Sequence, residues 1–173
     1  MIIGLTGKRG VGKTVIANLI SEKTNAPVLS FAGPLKEMIE KAQICTHEEL
    51  YFRKNEFSRM MLQKIGTNIF RNQVDRRFWI KRMKERIFSD YYKSEIIIID
   101  DVRFKNEAQY IKNNGGKVVQ VIRGDIGFTI DNHESEMECE LIVPDWIIDN
   151  NVPIEYLNTV ISEMLTTFFP GGY

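Results

Sequence analysis

Residues 1–23 read MIIGLTGKRGVGKTVIANLISEK. Met1 to Leu5 is a short apolar run of the kind that forms a buried strand. Gly7-Lys8-Arg9-Gly10-Val11-Gly12-Lys13-Thr14 follows and fits G-x-x-x-x-G-K-[ST]. Beyond it, Val15, Ile16, Leu19 and Ile20 recur at helical spacing. Strand, glycine-rich turn and helix, in that order, are the context a phosphate-binding loop requires. A polyphosphate needs more donors than side chains can easily supply. Glycines let the backbone adopt φ > 0, so that its N–H groups converge on the oxygens. The helix start adds free N–H groups and the positive end of its dipole. Lys13 is expected to bridge the β- and γ-phosphates, and the Thr14 hydroxyl to ligate Mg²⁺. The expected nucleotide cradle is therefore Gly7, Lys8, Arg9, Gly10, Val11, Gly12, Lys13 and Thr14. A glycine-rich turn with no ligand is the bland alternative, and the complete motif in its proper setting disfavours it.

Composition narrows the rest. At 173 residues one domain with a sizeable core is the natural expectation. Lys and Arg number 23, and so do Asp and Glu, giving a formal net charge of zero. The chain as a whole therefore does not advertise a nucleic-acid or membrane-surface partner. Cys45 and Cys139 stand apart, without CxxC spacing, which suggests reduced thiols rather than a disulfide framework or a zinc site. The longest apolar runs fall far short of a membrane span, and the first residues are already strand and loop, with no room for a cleavable signal. A cytoplasmic location is the expectation.

Further along, 26–31 reads as a second strand, with Pro27 at its start, where proline is tolerated. Pro34 suits a first helical turn, and 34–42 predicts a helix burying Leu35, Met38 and Ile39. Over 45–90 the pattern is helical throughout. Met60, Met61, Leu62, Ile65, Ile69 and Phe70 supply an apolar face, Gly66-Thr67 predicts a break, and Val74-Asp75 opens a helix with Trp79, Ile80, Met83 and Ile87 inward. Ile96 to Ile99, ending on Asp100-Asp101, predicts a strand buried on both faces, as in the middle of a parallel sheet. A helix over 104–113 stops at Asn114-Gly115-Gly116. A fourth strand is expected over 117–123, irregular chain with Gly127 and Pro144 as breakers over 124–144, a short helix around 134–140, a fifth strand over 145–149 and a last helix over 152–169.

Strands alternating with helices predict a parallel sheet with right-handed crossovers. The fold class expected is α/β, a P-loop three-layer α/β/α sandwich with five parallel strands. It would form a single domain over 1–173 with a helical insertion over 44–92 between the second and third strands. Ligands in such sheets sit at the carboxyl ends of the strands, where the loop, Phe31, Asp100, Asp101 and Arg123 should converge. A carboxylate at Asp100 or Asp101 can hold Mg²⁺ and complement Thr14. Alternation along the strand allows only one of the two to do so, and the other can cap the helix that begins near Phe104. Arg103 offers a planar fork suited to phosphate, and Glu107, one turn on, can orient it. Arg71 precedes a helix in the insertion, where it would bind an acceptor phosphate. Lys81, Arg82, Lys84 and Arg86 read as a solvated face. His133-Glu134-Ser135-Glu136 has no spaced partner for a metal and no G-x-S-x-G for a nucleophile, and reads as a loop near the site.

GLTGKRGVGKT, SFAGPLKEM, LQKIGTNIFR…DRRFW, IIIDDVRFKNEA and HESE occur in the same order as in phage-type deoxynucleoside monophosphate kinases. The resemblance spans about Met1 to Asp149, and dephospho-coenzyme A and phosphomevalonate kinases share the core. It implies transfer of the ATP γ-phosphoryl group to a deoxynucleoside 5′-monophosphate. It also implies Mg²⁺, a small-molecule nucleotide as partner rather than a nucleic acid or membrane, the host cytoplasm if the chain is phage-encoded, and room for a homodimer. By position it makes Lys13, Asp101, Arg103 and Arg71 the catalytic set, with Asp101 as the site acid. Lys36 falls near the acceptor, and Phe31, Phe70 and Trp79 become candidates to stack on the base. The coenzyme A relatives place further arginines after the fourth strand. Here Arg123 is followed by Gly124-Asp125-Ile126-Gly127-Phe128, so any lid is reduced or takes its charge from Arg9, Arg76 or Arg77. The rival readings are another small-molecule kinase on the same core and a nucleotide-dependent switch.

Overall fold

Ile97, Ile98 and Ile99 are each no more than 2% exposed, and the strand that carries them has a parallel neighbour on both sides. The computed structural model describes residues 1–90, 94–124 and 133–173. Its sheet is formed by β1 (Ile2–Thr6), β2 (Val28–Leu29), β3 (Ile97–Val102), β4 (Lys117–Ile122) and β5 (Trp146–Asp149). The order is β2-β3-β1-β4-β5, with every pairing parallel. An unbroken run of β-branched residues suits this position, because an interior parallel strand has no solvent face to supply with polar side chains.

Helices α1 (Lys13–Thr24) and α8 (Ile154–Phe168) cover one face, with Ile16, Ile20, Ile161 and Leu165 joining Ile3, Leu5, Ile98, Val119 and Ile148 in one core. On the other face lies α6 (Lys105–Asn113), whose Ile111 fills the space a side chain at Gly4 would take. Alternation along β1 explains the division, since Ile3 and Leu5 point one way and Gly4 the other. Each such buried aliphatic side chain is worth about 1.5–3 kcal/mol relative to exposure. This is the three-layer α/β/α arrangement expected.

The chain forms two compact units, one of Met1–Leu29 with Ser89–Tyr173 and one of Ser30–Phe88. The second is wholly helical: α2 (Gly33–Lys41), α3 (His47–Tyr51), α4 (Glu56–Met61), the π-helix π1 (Leu62–Val74) and α5 (Phe78–Asp90). α7 (Glu134–Cys139) completes the first unit.

Several expectations are corrected. β2 is two residues long, not six, and β3 continues through Asp100 and Asp101 instead of ending on them. Gly66-Thr67 breaks nothing. π1 runs through it, the Trp79 indole donates to the Gly66 carbonyl at 2.8 Å, and the break comes at Asp75, where φ is −162°. Val15, Met38, Met60 and Ile69 are exposed. The wide π-helical turn shifts which residues share a face, so the buried positions of π1 are Gly66, Thr67 and Arg71. Gly127 and the rest of 125–132 lie outside the described residues.

Candidate active site

The loop between β1 and α1 is built by two glycines that no other residue can replace. Gly7 has φ 135°, and a Cβ there would lie 2.3 Å from the Val121 carbonyl oxygen. Gly12 has φ 93°, and its Cβ would lie 2.2 Å from Nδ2 of Asn150. Both a left-handed backbone and a near contact exclude a side chain. Gly12 is also the N-cap of α1. It supplies no capping oxygen, and the first turn carries no acidic residue, so the free N–H groups and the positive helix end are left to an external anion.

Lys13 is buried, and its Nζ donates to the carbonyls of Gly7 and Lys8, both at 2.7 Å. Burial, reinforced by the Arg103 charge, pushes its pKa down to about 7, against smaller opposing effects of Glu136 and Asp101. Thr14 is exposed, and its hydroxyl donates to Asp100 Oδ2 at 3.3 Å. Of the two aspartates it is therefore Asp100 that meets Thr14, while Asp101 adds negative potential at Lys13. The register of β3 against β1 is irregular at these two residues. Gly4 pairs with Ile99 and Thr6 with Val102, so β3 carries one extra residue opposite Leu5. A bulge of this kind re-aims side chains and suspends strict alternation. A hydroxyl and a carboxylate beside a phosphate loop are the hard oxygen donors Mg²⁺ takes from protein, the remainder coming from phosphate and water. Among the described residues no group of three or more His, Cys, Asp or Glu could hold a metal by itself.

Neither aspartate stands at the N-cap position of α6. Phe104 holds the N-cap position, and the buried Glu107 carboxylate accepts from the backbone N–H groups of Arg103 at 2.8 Å and Phe104 at 3.1 Å. Glu107 thus orients the main chain at Arg103, not its guanidinium. The guanidinium goes to Glu136 of α7, whose other oxygen accepts from the Arg9 backbone N–H at 3.0 Å. Glu138 accepts from the Lys105 N–H at 3.1 Å, and Glu140 pairs with Lys8 at 2.5 Å. The HESE segment is therefore the start of a helix, not a loop. His133 is its N-cap, with Nδ1 accepting from the Ser135 N–H at 3.3 Å.

Two contributors escaped the sequence reading. Glu136 was legible only as part of a segment near the site. Asn150, just past β5, donates from Nδ2 to the Val11 carbonyl at 2.7 Å, and nothing in its local sequence beyond a turn-forming Asp149-Asn150-Asn151 marks it. Arg123 lies one residue past β4, at the same end of the sheet, and is exposed.

The remaining expected residues belong to the helical unit. Phe31 is buried. Lys36 places Nζ 4.9 Å from the Tyr51 ring centroid, a cation–π distance. Trp79 is buried in an aromatic cluster, edge-on to Phe70 at 5.4 Å and Phe78 at 4.8 Å. Arg71 is 4% exposed on the buried face of π1.

Solved structures share this fold. Shikimate kinase from Aquifex aeolicus superposes with a TM-score of 0.51 at 16% identity, covering 99% of this chain and 100% of that one. TT1252 from Thermus thermophilus gives 0.57 at 14% identity, covering 96% and 97%. Sequence relatives are more specific. A protein of Acanthamoeba polyphaga mimivirus, provisionally named a deoxynucleotide monophosphate kinase, is 29% identical over 178 residues, covering 90% of this chain and 91% of that protein. The deoxynucleotide monophosphate kinase of Escherichia phage RB69 is 28% identical over 109 residues, covering 62% of this chain and 44% of that protein. The family model for deoxynucleotide monophosphate kinase matches residues 43–161, from before α3 into α8. That span takes in Arg71, both aspartates, Arg103, Glu136 and Asn150, and with it the chain belongs to the deoxynucleotide monophosphate kinase family.

Proposed function

We propose that this nucleotide kinase transfers the γ-phosphoryl group of ATP to a deoxynucleoside 5′-monophosphate, giving ADP and the deoxynucleoside diphosphate. The observation that carries this reading is the family match over 43–161 on a chain whose 7–14 loop has the Lys13, Thr14 and Asp100 geometry of a polyphosphate site. The backbone of Gly7 to Thr14 holds the triphosphate, and Lys13 carries positive charge to its β- and γ-oxygens. Thr14 and Asp100 hold Mg²⁺, directly or through water, and the ion neutralises phosphate charge when bound. Asp101 is the site acid, Arg103 meets the transferring group and Arg123 the nucleotide. In the helical unit Arg71 meets the acceptor phosphate, Lys36 lies near the acceptor, and Phe31 and Trp79 wall the base. Glu107 serves substrate through the backbone of Arg103. An acceptor phosphate oxygen is already nucleophilic, so the task is positioning and charge stabilisation, with no strong base required.

The test is ADP release measured with a panel of acceptors. Deoxynucleoside monophosphates are expected to sustain it. Turnover with dephospho-coenzyme A or phosphomevalonate and with no deoxynucleotide would replace this reading by that of another acceptor class. Among the described residues no helix is long and apolar enough to cross a membrane.

The lowered pKa of Lys13 makes triphosphate binding pH-dependent in a definite direction. Free, with a pKa of about 7, Lys13 is mostly neutral at pH 8. An adjacent polyanion favours the ammonium form and raises the pKa again. Binding at pH 8 should therefore take up roughly 0.9 of a proton, falling towards zero by pH 6, and affinity should weaken by up to about tenfold per unit above pH 7.5. Calorimetry in buffers of different ionisation enthalpy measures the uptake, and equal heats across buffers at pH 8 would contradict it.

A further inference from the structure

We propose that Asn150 is a positioning residue of the phosphate loop, one that turns the Gly12 N–H into the cradle by holding the Val11 carbonyl outward. The inference rests on the reading of this loop as a polyphosphate site. The peptide joining Val11 to Gly12 couples two groups. No peptide among the described residues is cis, and in a planar trans peptide the C=O and the following N–H point in opposite directions. Whatever anchors the Val11 oxygen therefore also aims the Gly12 hydrogen. The anchor is Asn150 Nδ2, 2.7 Å away. A carbonyl oxygen can only accept, so the amide nitrogen of Asn150 must be the group facing it.

Asn150 is itself held. Its backbone N–H donates to the Ile122 carbonyl at 2.8 Å, which extends the β4–β5 ladder by one step. Asn151 accepts from the Gly124 N–H at 2.9 Å, and its own N–H donates to Asp149 at 3.0 Å, closing the turn that follows β5. The arm is thus short, half-buried and fixed to the sheet. The loop is shaped to receive it, because the space a side chain at Gly12 would occupy is the space the Asn150 amide fills, 2.2 Å from that Cβ position. Gly12 and Asn150 form a matched pair across 138 positions of sequence. Without the anchor, the Val11–Gly12 peptide can rotate, and the Gly12 donor spends part of its time turned away from phosphate.

Inorganic tripolyphosphate isolates this effect, since it has phosphates and no base. Asn150→Ala is expected to weaken tripolyphosphate and MgATP binding alike, by about tenfold, the scale of one lost hydrogen bond. Asn150→Asp should weaken both further, because an ionised carboxylate cannot donate to the Val11 carbonyl and adds negative charge. The acceptor KM should stay within twofold. In the ¹H–¹⁵N spectrum, the downfield shift of the Gly12 amide on adding tripolyphosphate should shrink by at least half in both variants. An unchanged tripolyphosphate affinity and Gly12 shift in Asn150→Ala would overturn the proposal. Weakened ATP binding with normal tripolyphosphate binding would overturn it too, assigning Asn150 to the base instead. If Asn150→Ala fails to fold, Asn150→Asp, which keeps the side-chain shape, carries the test alone. A wild-type protein blind to tripolyphosphate would remove the phosphate-loop reading itself.

Discussion

Lys13→Ala is expected to lower kcat/KM about 10³-fold, or ~4 kcal/mol of transition-state stabilisation, while the melting temperature stays within a few degrees of the parent. The size of the loss follows from where the amine sits. It is buried on the loop carbonyls of Gly7 and Lys8, in surroundings poor enough in water to bring its pKa down to about 7. A charge brought to phosphate in such a place is screened far less than one at the surface. The small effect on stability has the same origin. A desolvated amine is not a strong stabiliser of the fold, so removing it releases a burial penalty along with two hydrogen bonds. Lys13→Arg should not restore activity, because a planar fork cannot sit on two loop carbonyls as a compact ammonium does. Coupled-assay kinetics and a circular-dichroism melt decide the matter. Turnover within tenfold of the parent for Lys13→Ala would end the assignment.

Arg71→Ala should cost between 10² and 10³ in kcat/KM, concentrated in the acceptor, with the MgATP dissociation constant unchanged. Arg71 is 4% exposed on a helix face that it shares with Gly66 and Thr67. A guanidinium kept so far from water is costly, and a phosphate dianion received in bidentate fashion offsets that cost as no neutral partner can. Arg71→Lys should recover less than a tenth of the loss, since a point charge reproduces the sign but not the fork. The split between substrates separates this role from a structural one, which would degrade both affinities as the protein loosens. An acceptor KM equal to the parent's in Arg71→Ala would remove Arg71 from the site.

The fold was legible because its signals are local. Strand, glycine turn and helix over 1–23 fall within two dozen residues, and four isoleucines in a row admit few environments other than an interior parallel strand. Residues 104–113, 134–140 and 152–169 were placed to within a residue or two by periodicity and breakers alone. The helical unit was harder. α-Helical spacing places Ile69 on its apolar face, yet π1 has a wider turn, and so Ile69 is exposed while Thr67 and Arg71 are buried.

At the site the division is the same. Gly7, Gly12, Lys13 and Thr14 could be assigned chemistry from their spacing, because the phosphate loop is a single run of backbone whose conformation its own glycines dictate. Which aspartate meets Thr14, where the Glu136 carboxylate goes and what fills the space beside Gly12 depend on pairings between residues up to 139 positions apart. The bulge at Asp100 and Asp101 is a mismatch of register between β1 and β3, a relation that neither strand expresses alone. Short-range preference wrote the elements and the motif, and long-range registry, set only when the sheet closed, chose the partners.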